Sequence, residues 1–175
     1  MGHKVYIALG SNLGERESNL RNAVEHISNI DGLTVDKLSH IYETDPVGYL
    51  EQDRFLNMVI AAATDIEPLE LLGKLQGIED RMGRTREIHW GPRTMDIDML
   101  IYGDKKINLP CLKIPHPQML KRAFVLIPFK DVYDCPEVLG ADINKLIQSC
   151  GDRDGIKLYR KSLLTEYRLR KIFMI

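Results

Sequence analysis

The sequence has few cysteines, and none of them stands in a metal-binding or redox pattern. Its 175 residues include only Cys111, Cys135 and Cys150, and no two of them form a Cys-x-x-Cys pair. An odd number of scattered cysteines argues against a disulfide framework, and no histidine lies at zinc-finger spacing from them. We therefore expect free thiols, no structural zinc and a reducing, cytoplasmic environment.

Long hydrophobic runs and a strong charge imbalance are also missing. The apolar run at residues 5–9 ends at Gly10 and is too short for a membrane span or for the core of a signal peptide. The formal net charge is −1, so no overall field would draw the chain to nucleic acid or to an anionic membrane. We expect small-molecule partners, with no nucleic acid and no membrane among them.

A nucleotide-binding P-loop is the third feature that the chain lacks. The glycine-rich run GSNLG at residues 10–14 follows an apolar stretch, but it lacks the Lys-Ser/Thr ending of that motif. We interpret the run as a turn from a strand into a helix, with Asn12 as the candidate helix cap.

The hydrophobic pattern that is present predicts six main elements. Apolar residues alternate or run together at 5–9, 33–42, 56–64 and 95–102, which is typical of strands. Helical spacing over residues 20–30 predicts a helix that ends near Gly32, and a second helix is predicted from Pro68 to Gly83. Residues 123–132 fit either a strand or a helix.

The order of these elements predicts the fold class. Strand, helix, strand, strand, helix, strand is a split βαβ arrangement, so we expect an α+β sandwich with a mainly antiparallel sheet and helices packed on one face. A single domain is expected over residues 1–151. The basic stretch at residues 152–175 is interpreted as a peripheral or mobile extension of unknown role.

Two acids in the last predicted strand give the sharpest chemical signal. Asp96 and Asp98 are two residues apart, so on a strand they point to one face, while Ile97, Met99 and Ile101 would point into the core. Carboxylates held side by side repel unless a cation lies between them, and oxygen ligands without His or Cys suit Mg²⁺. The alternative is an ordinary solvated strand face, which an isolated Asp-x-Asp pair would favour.

A basic loop precedes these acids. Arg84, Arg86 and Arg93 lie in it, and Lys74 and Arg81 lie on the helix before it. Guanidinium groups beside a metal-binding acid pair are typical of phosphoryl-type transfer, because they bind phosphate oxygens and stabilise the moving charge. The alternative is that the arginines only form surface salt bridges with the two acids.

Other candidate positions are ambiguous on residue type and spacing. Phe55 and Asn57 share one face at the start of a strand, where a ring beside an amide could bind a flat heterocycle or form a cross-strand packing pair. Trp90 could cover a nucleotide or pin its own loop. Spacing alone favours a solvated or structural role for three other polar residues, Gln76, Glu79 and His116.

Six segments, in order along the chain, resemble one enzyme family. They are ALGSNLG (8–14), YETDPVG (42–48), FLN (55–57), WGPRTMDID (90–98), PHP (115–117) and RAF (122–124). The fourth segment is the most specific, and the resemblance covers roughly residues 4–150. On these segments the chain resembles the 6-hydroxymethyl-7,8-dihydropterin pyrophosphokinases of folate biosynthesis.

The resemblance implies a ferredoxin-like fold and the transfer of pyrophosphate from ATP to the hydroxymethyl group of the pterin, leaving AMP. It implies that Asp96 and Asp98 bind two Mg²⁺ ions and that Arg84 and Arg93 act with them as catalytic residues. The residues implied for ATP binding are Gln76, Glu79, Arg84, Arg86, Trp90, Arg93, His116 and Arg122. Those implied for the pterin are Thr44, Pro46, Val47, Gly48, Phe55, Asn57 and Phe124, with the ring between Phe55 and Phe124.

The chain departs from the family pattern at a few positions. Phe55 stands where many members have tyrosine, His89 where some have a second basic residue, and Pro117 where some have tyrosine. The alternatives are another nucleotide-dependent transferase or cyclase on the same sheet, and a ferredoxin-like module that binds a ligand without turnover. We expect a monomer or a weak homo-oligomer.

Overall fold

The computed structural model of the chain describes residues 2–83 and 92–162, which form ten strands and four α-helices. In chain order, the strands are β1 (His3–Ser11), β2 (Leu33–Leu38), β3 (Ile41–Thr44), β4 (Phe55–Thr64), β5 (Asp96–Tyr102), β6 (Ile107–Asn108), β7 (Lys113–Ile114), β8 (Glu137–Val138), β9 (Ala141–Asp142) and β10 (Ile156–Arg160). The helices are α1 (Arg16–Ser28), α2 (Pro68–Arg81), α3 (Ala123–Val132) and α4 (Ile143–Ser149).

The main sheet is antiparallel throughout. Its strands run in the order β10-β3-β4-β1-β5, and β2 also pairs with β4. The chain order β1-α1-β2/β3-β4-α2-β5 is the split βαβ arrangement that the sequence predicts, and it makes the fold ferredoxin-like. The short pairs β6-β7 and β8-β9 lie outside this sheet.

The single strand that was predicted over residues 33–42 is instead two strands. β2 and β3 both pair with β4, and they are separated at Ser39 and His40. Ser39 still bonds to β4, since its N–H donates to Val59 O at 2.9 Å and its Oγ accepts from Val59 N at 2.8 Å. The serine hydroxyl therefore replaces a strand carbonyl at the point where the pairing breaks.

Both predicted helices form, although α1 ends at Ser28, before the predicted end near Gly32. α1 buries Leu20, Ala23, Val24 and Ile27 along one stripe, and α2 begins with Pro68 in its first turn. Gly83 has φ +77° and its N–H donates to Asp80 O at 3.1 Å, so it ends α2 as predicted, in a conformation that glycine adopts without steric cost.

Helices cover both faces of the sheet, so the expectation that they pack on one face is wrong. α1 and α2 pack on the face that carries Val5, Ile7 and Leu9. α3, over the stretch that fitted either a strand or a helix, packs on the opposite face against Tyr6 and Val59. The sequences of β1 and β4 explain why helices lie on both faces. Both strands are nearly continuous apolar runs, and such runs are typical of strands that are buried on both faces.

The sheet continues beyond residue 151, where we expected the domain to end. β10 pairs with β3, with Ile156 opposite Thr44 and Lys157 opposite Glu43. Ser162 also bonds to this unit, since its Oγ donates to Leu38 O at 2.8 Å. Residues 152–162 therefore belong to the same folded unit, and the rest of the predicted extension lies outside the described residues.

Two expectations about the whole chain can be compared with the described part. All three cysteines are free thiols there, as expected. Within the described residues, no helix combines the length and apolar character that crossing a membrane requires.

Candidate active site

A cavity opens at one end of the sheet on the face that α3 covers. The first turn of α3 lines this cavity, and its later residues Phe129 and Val132 pack on the sheet beside it. The cavity brings together ten of the residues that the sequence singled out: Thr44, Val47, Phe55, Asn57, Arg93, Asp96, Asp98, His116, Arg122 and Phe124.

Alternation along β5 places the two acids in the cavity. Asp96 and Asp98 are half-buried and line it, whereas Ile97 and Met99 are buried in the core under α1 and α2. The predicted geometry of the acid pair is therefore confirmed: both carboxylates leave the same face of the strand.

The prediction for Ile101 is wrong. Ile7 of β1 lies opposite Met99, but Tyr6 lies opposite Ile101, so Leu100 is one extra residue on β5. Such a bulge reverses the alternation that follows it. As a result Ile101 packs on the α3 face together with Leu100.

Arg93 pairs with the first acid. Its Nη1 lies 2.8 Å from Asp96 Oδ2, and both side chains are about a quarter exposed, at 25% and 23%. The sequence left open whether the arginines serve phosphate or only form salt bridges with the acids. Both residues of the pair line the cavity, so the guanidinium is presented to it.

Asn12 holds two loops beside the cavity, a role that sequence reasoning missed. Its backbone and side chain exchange bonds with the Arg93 backbone: Arg93 N donates to Asn12 Oδ1 at 2.8 Å, and Asn12 N donates to Arg93 O at 3.1 Å. Asn12 Nδ2 donates to Gln52 Oε1 at 2.9 Å and to Asp53 O at 3.0 Å. The expectation that Asn12 caps α1 is wrong, since that helix starts after Glu15.

A fixed amide lies in the cavity lining two strands away from Asp96, on the same face of the sheet. Asn57 Nδ2 donates to Thr44 Oγ1 at 2.7 Å, and both residues are buried. A side chain at Gly10 would place its Cβ only 2.7 Å from Asn57 Oδ1. Gly10 therefore leaves room for this amide, and residue type alone carried no signal for that role.

The two aromatic candidates also line the cavity. Phe55 lies at the start of β4, and Phe124 lies in the first turn of α3. The Arg122 guanidinium carbon lies 5.6 Å from the centre of the Phe124 ring, within the range of a cation–π contact. Arg122 thus presents a positive charge beside the aromatic wall.

His116 is held as a neutral ring. Its backbone N–H donates to Leu100 O at 2.8 Å, and its Nδ1 accepts from Gln118 N at 3.2 Å, which assigns the proton to Nε2. Burial lowers the pKa of His116, and the charge of Arg122 lowers it further, against an opposing effect of Asp96. The ring can therefore donate one hydrogen bond from Nε2 at neutral pH.

Several predicted site residues lie outside the cavity lining or outside the described residues. Gln76 is exposed on α2, and Pro46 and Gly48 lie in the loop after β3. Glu79 is buried and its Oε1 accepts from Ile97 N at 2.7 Å, so it fixes the backbone between the two acids. The predictions for Arg84, Arg86 and Trp90 fall outside the described residues.

The donor set of the cavity fits Mg²⁺. Across residues 2–83 and 92–162, no group of three or more His, Cys, Asp or Glu side chains could enclose a metal on its own. Mg²⁺ in proteins is usually held by one or two carboxylates, and water and substrate phosphates complete its shell. Asp96 and Asp98, on one strand face beside Arg93, match that pattern.

Comparison with known proteins assigns the family. A family model described as 7,8-dihydro-6-hydroxymethylpterin-pyrophosphokinase (HPPK) matches residues 6–134. The chain belongs to the HPPK family. A Bacillus subtilis protein named 2-amino-4-hydroxy-6-hydroxymethyldihydropteridine pyrophosphokinase is 43% identical over 161 residues, covering 92% of this chain and 93% of that protein. A protein of the same name from Aquifex aeolicus is 41% identical over 128 residues, or 74% of this chain and 79% of that protein.

Solved HPPK structures share the fold of this chain. A Plasmodium falciparum HPPK-DHPS structure with pterin and p-hydroxybenzoate has a TM-score of 0.64 and 16% sequence identity to it. That likeness covers 90% of this chain and 46% of the solved chain, so this HPPK chain spans less than half of that protein. At this identity the likeness concerns the fold, and it agrees with the ferredoxin-like arrangement of β1 to β5.

Proposed function

We infer that this chain transfers pyrophosphate from ATP to the hydroxymethyl group of 6-hydroxymethyl-7,8-dihydropterin, giving AMP and the pterin diphosphate. Family membership supports the reaction class. The single observation that carries the proposal is the cavity lining, in which a wall of acids and arginine adjoins a wall of aromatic rings and an amide. The first wall suits phosphates and the second suits a flat heterocycle.

The aromatic and amide wall is proposed as the pterin site. A pterin is planar and has hydrogen-bond donors and acceptors along its edge, so it needs rings above and below and fixed polar groups at its rim. Phe55 and Phe124 would supply the rings. Asn57 is suited to the rim because its bond to Thr44 fixes the amide, and the remaining pterin contacts are assigned to Pro46, Val47 and Gly48 in the adjoining loop.

The acid and arginine wall is proposed as the site of the ATP phosphates. Asp96 and Asp98 would hold two Mg²⁺ ions, which, when bound, neutralise phosphate charge at the transferred group. Arg93 and Arg84 would stabilise the charge that develops on the moving pyrophosphate. The other residues that we assign to the nucleotide are Gln76, Glu79, Arg86, Trp90, His116 and Arg122.

Two of these nucleotide assignments gain a physical rationale from the fold. Glu79 would act through β5, since its bond to Ile97 N sets the backbone between the metal-binding acids. His116 would donate Nε2–H to a phosphate or sugar oxygen, because its Nδ1 already accepts a bond from Gln118. Both roles are positioning roles and involve no proton transfer.

The chemical step balances without an additional reactant. A bond forms between the hydroxymethyl oxygen and the β-phosphorus of ATP, and the bond from that phosphorus to the α,β-bridging oxygen breaks. AMP leaves with the bridging oxygen, and the hydroxyl proton passes to solvent. We assign no general base among the described residues, because holding the two substrates in line accounts for a large part of the rate in such transfers.

The test is a product analysis with ATP, Mg²⁺ and 6-hydroxymethyl-7,8-dihydropterin. We expect AMP and the pterin diphosphate in equal amounts, and neither product when EDTA removes the metal. A matched control replaces the substrate by 6-methyl-7,8-dihydropterin, which has no hydroxyl to accept the group and should give no AMP. Release of free pyrophosphate would instead indicate nucleotidyl transfer or cyclisation, and ligand binding without any turnover would indicate a regulatory module.

A further inference from the structure

The segment after α4 contacts two walls of the cavity at once. Asp152 accepts hydrogen bonds from the first two backbone N–H groups of α3, at Ala123 (2.9 Å) and Phe124 (3.1 Å). Three residues later, Gly155 O accepts from Asp45 N at 3.1 Å. One short stretch of chain therefore joins the helix turn that bears Phe124 to the end of the strand that bears Thr44.

The contact of Asp152 supplies a cap that α3 lacks locally. Arg122 is the residue before the helix, and its side chain makes no capping hydrogen bond. The first N–H groups of a helix have no partner within the helix, and a carboxylate there is favoured both by hydrogen bonding and by the helix dipole. Asp152 provides both effects from 28 residues away.

The position of α3 matters because its first turn is part of the cavity wall. Phe124 lines the cavity, and the Arg122 guanidinium lies over its ring. A first turn that frays would move both side chains, since a helical side chain follows its own backbone. The carboxylate of Asp152 thus fixes the aromatic wall from outside the cavity.

Gly155 makes the second contact through close approach. A Cβ at this position would lie 2.5 Å from Asp45 Oδ2 and 3.0 Å from Asp45 Cγ. Asp45 directly follows Thr44 and is further held by Arg54, whose Nη2 lies 3.0 Å from Asp45 Oδ1. A Cβ at Gly155 would displace the Asp45 carboxylate from Arg54, and at 3.1 Å from Asp45 Cβ it would also press on the residue that follows Thr44.

We propose that Asp152 and Gly155 are positioning residues for the pterin site, and that they hold Phe124 and the strand end that carries Thr44 in the positions that a bound heterocycle needs. This inference rests on the proposed function, because it names what that site loses when the segment is altered. Neither residue is part of the cavity lining. The competing explanation is that the segment only stabilises the fold.

The experiment compares Asp152→Ala and Asp152→Asn with Asp154→Ala. Asp154 is a matched control, since its side chain is 88% exposed and, among the described residues, pairs with the neighbouring Arg153. KM for the pterin, KM for ATP and kcat are measured well below the thermal midpoint of each variant. We expect Asp152→Ala to raise the pterin KM about tenfold, as for the loss of a charged helix cap. ATP KM and kcat should change much less.

Asp152→Asn tests rescue, because its amide retains one acceptor oxygen for one of the two N–H groups. Its pterin KM should fall between those of the wild type and Asp152→Ala, and Asp154→Ala should match the wild type. A second pair tests the other contact: Gly155→Ala should raise the pterin KM about fivefold through overpacking. Gly151→Ala should not, since a Cβ there meets nothing within 4 Å.

The outcomes separate this inference from the proposed function. Wild-type turnover with unchanged pterin KM in Asp152→Ala and Gly155→Ala would overturn the positioning role alone, even if the thermal midpoint falls. An equal rise of the pterin and ATP KM values would also contradict it. A wild type that makes no AMP with the pterin would overturn the proposed function and the site described with it.

Discussion

The two faces of the central sheet differ in how fully helices cover them. On one face, α1 and α2 cover the strands and bury a continuous apolar cluster that includes Leu20, Leu75 and Ile78. On the other face, α3 covers only part of the sheet, and the uncovered end is the cavity with its acids, arginines and aromatic rings. One face fixes the positions of the strands, and the other presents side chains at those positions.

Strand β5 has side chains on both faces, so it shows how packing on one face affects the other. Ile97 and Met99 are buried under the helices, and Asp96 and Asp98 alternate with them into the cavity. A close-packed core leaves little freedom to the backbone. The spacing of the two carboxylates is therefore set by apolar packing on the far side of the same strand, which is a form of preorganisation.

The largest effect is expected from the cavity face of β5. Asp96→Ala and Asp98→Ala should each lower Mg²⁺-dependent turnover at least about a hundredfold, the usual scale for loss of one preorganised electrostatic group. Thermal stability should hardly change, because both side chains are half-buried beside open space. Asp104→Ala, in the exposed turn after β5, is the control and should keep full turnover. Comparable turnover in all three variants would contradict the division of the two faces.

The core face of the same strand should behave in the opposite way. Met99→Ala removes a side chain that is 4% exposed, and we expect it to lower the free energy of unfolding by about 2–5 kcal/mol in a urea titration. Turnover per folded molecule should stay within about twofold of the wild type, because the acids keep their strand. The exposed Leu69 on α2 provides the control substitution, Leu69→Ala. A stable Met99→Ala variant without turnover would show that the faces are not separable.

The smallest effect concerns pH and His116. Burial and Arg122 lower its pKa, so between that value and the ordinary value of about 6.5 the unfolded chain binds more protons than the folded chain. The free energy of unfolding should therefore fall as the pH falls through this window. In His116→Asn this part of the pH dependence of the free energy of unfolding should be absent. Titration of the substrate-free chain by NMR should give a midpoint for His116 below 6.5. A midpoint at or above 6.5 would contradict the buried, neutral ring.

The sequence predicts those parts of the molecule whose signal lies within one element. Asp96 and Asp98 could be placed on one strand face because strand periodicity is local, and the ends of α2 could be placed because Pro68 and Gly83 have restricted or unusual backbone preferences. The bulge at Leu100 could not be predicted, since it depends on how β1 and β5 match in register. That is why Ile101 was assigned to the wrong face.

Contacts between distant segments are the other part that local patterns miss. The sequence suggests Asn12 as a helix cap, but its side-chain amide bonds to one loop 41 residues later in the chain and to another 81 residues later. Helical spacing favours a solvated role for Glu79, yet its Oε1 accepts a hydrogen bond from Ile97 N of β5. The glycine-rich run marks Gly10 only as part of a turn, because the role of Gly10 beside the amide depends on the side chain of Asn57 on the neighbouring strand.

The placement of β10 has a consequence for the newly made chain. Protein synthesis proceeds from the N-terminus, and early segments can begin to fold before later ones exist. Strands β1 to β5 and all the residues that line the cavity precede residue 126, but the carboxylate that caps α3 and the strand that borders β3 come after residue 151. A ribosome-bound chain that stops before Asp152 would carry every residue assigned to the pterin and still lack the contacts that tie the start of α3 to the end of β3.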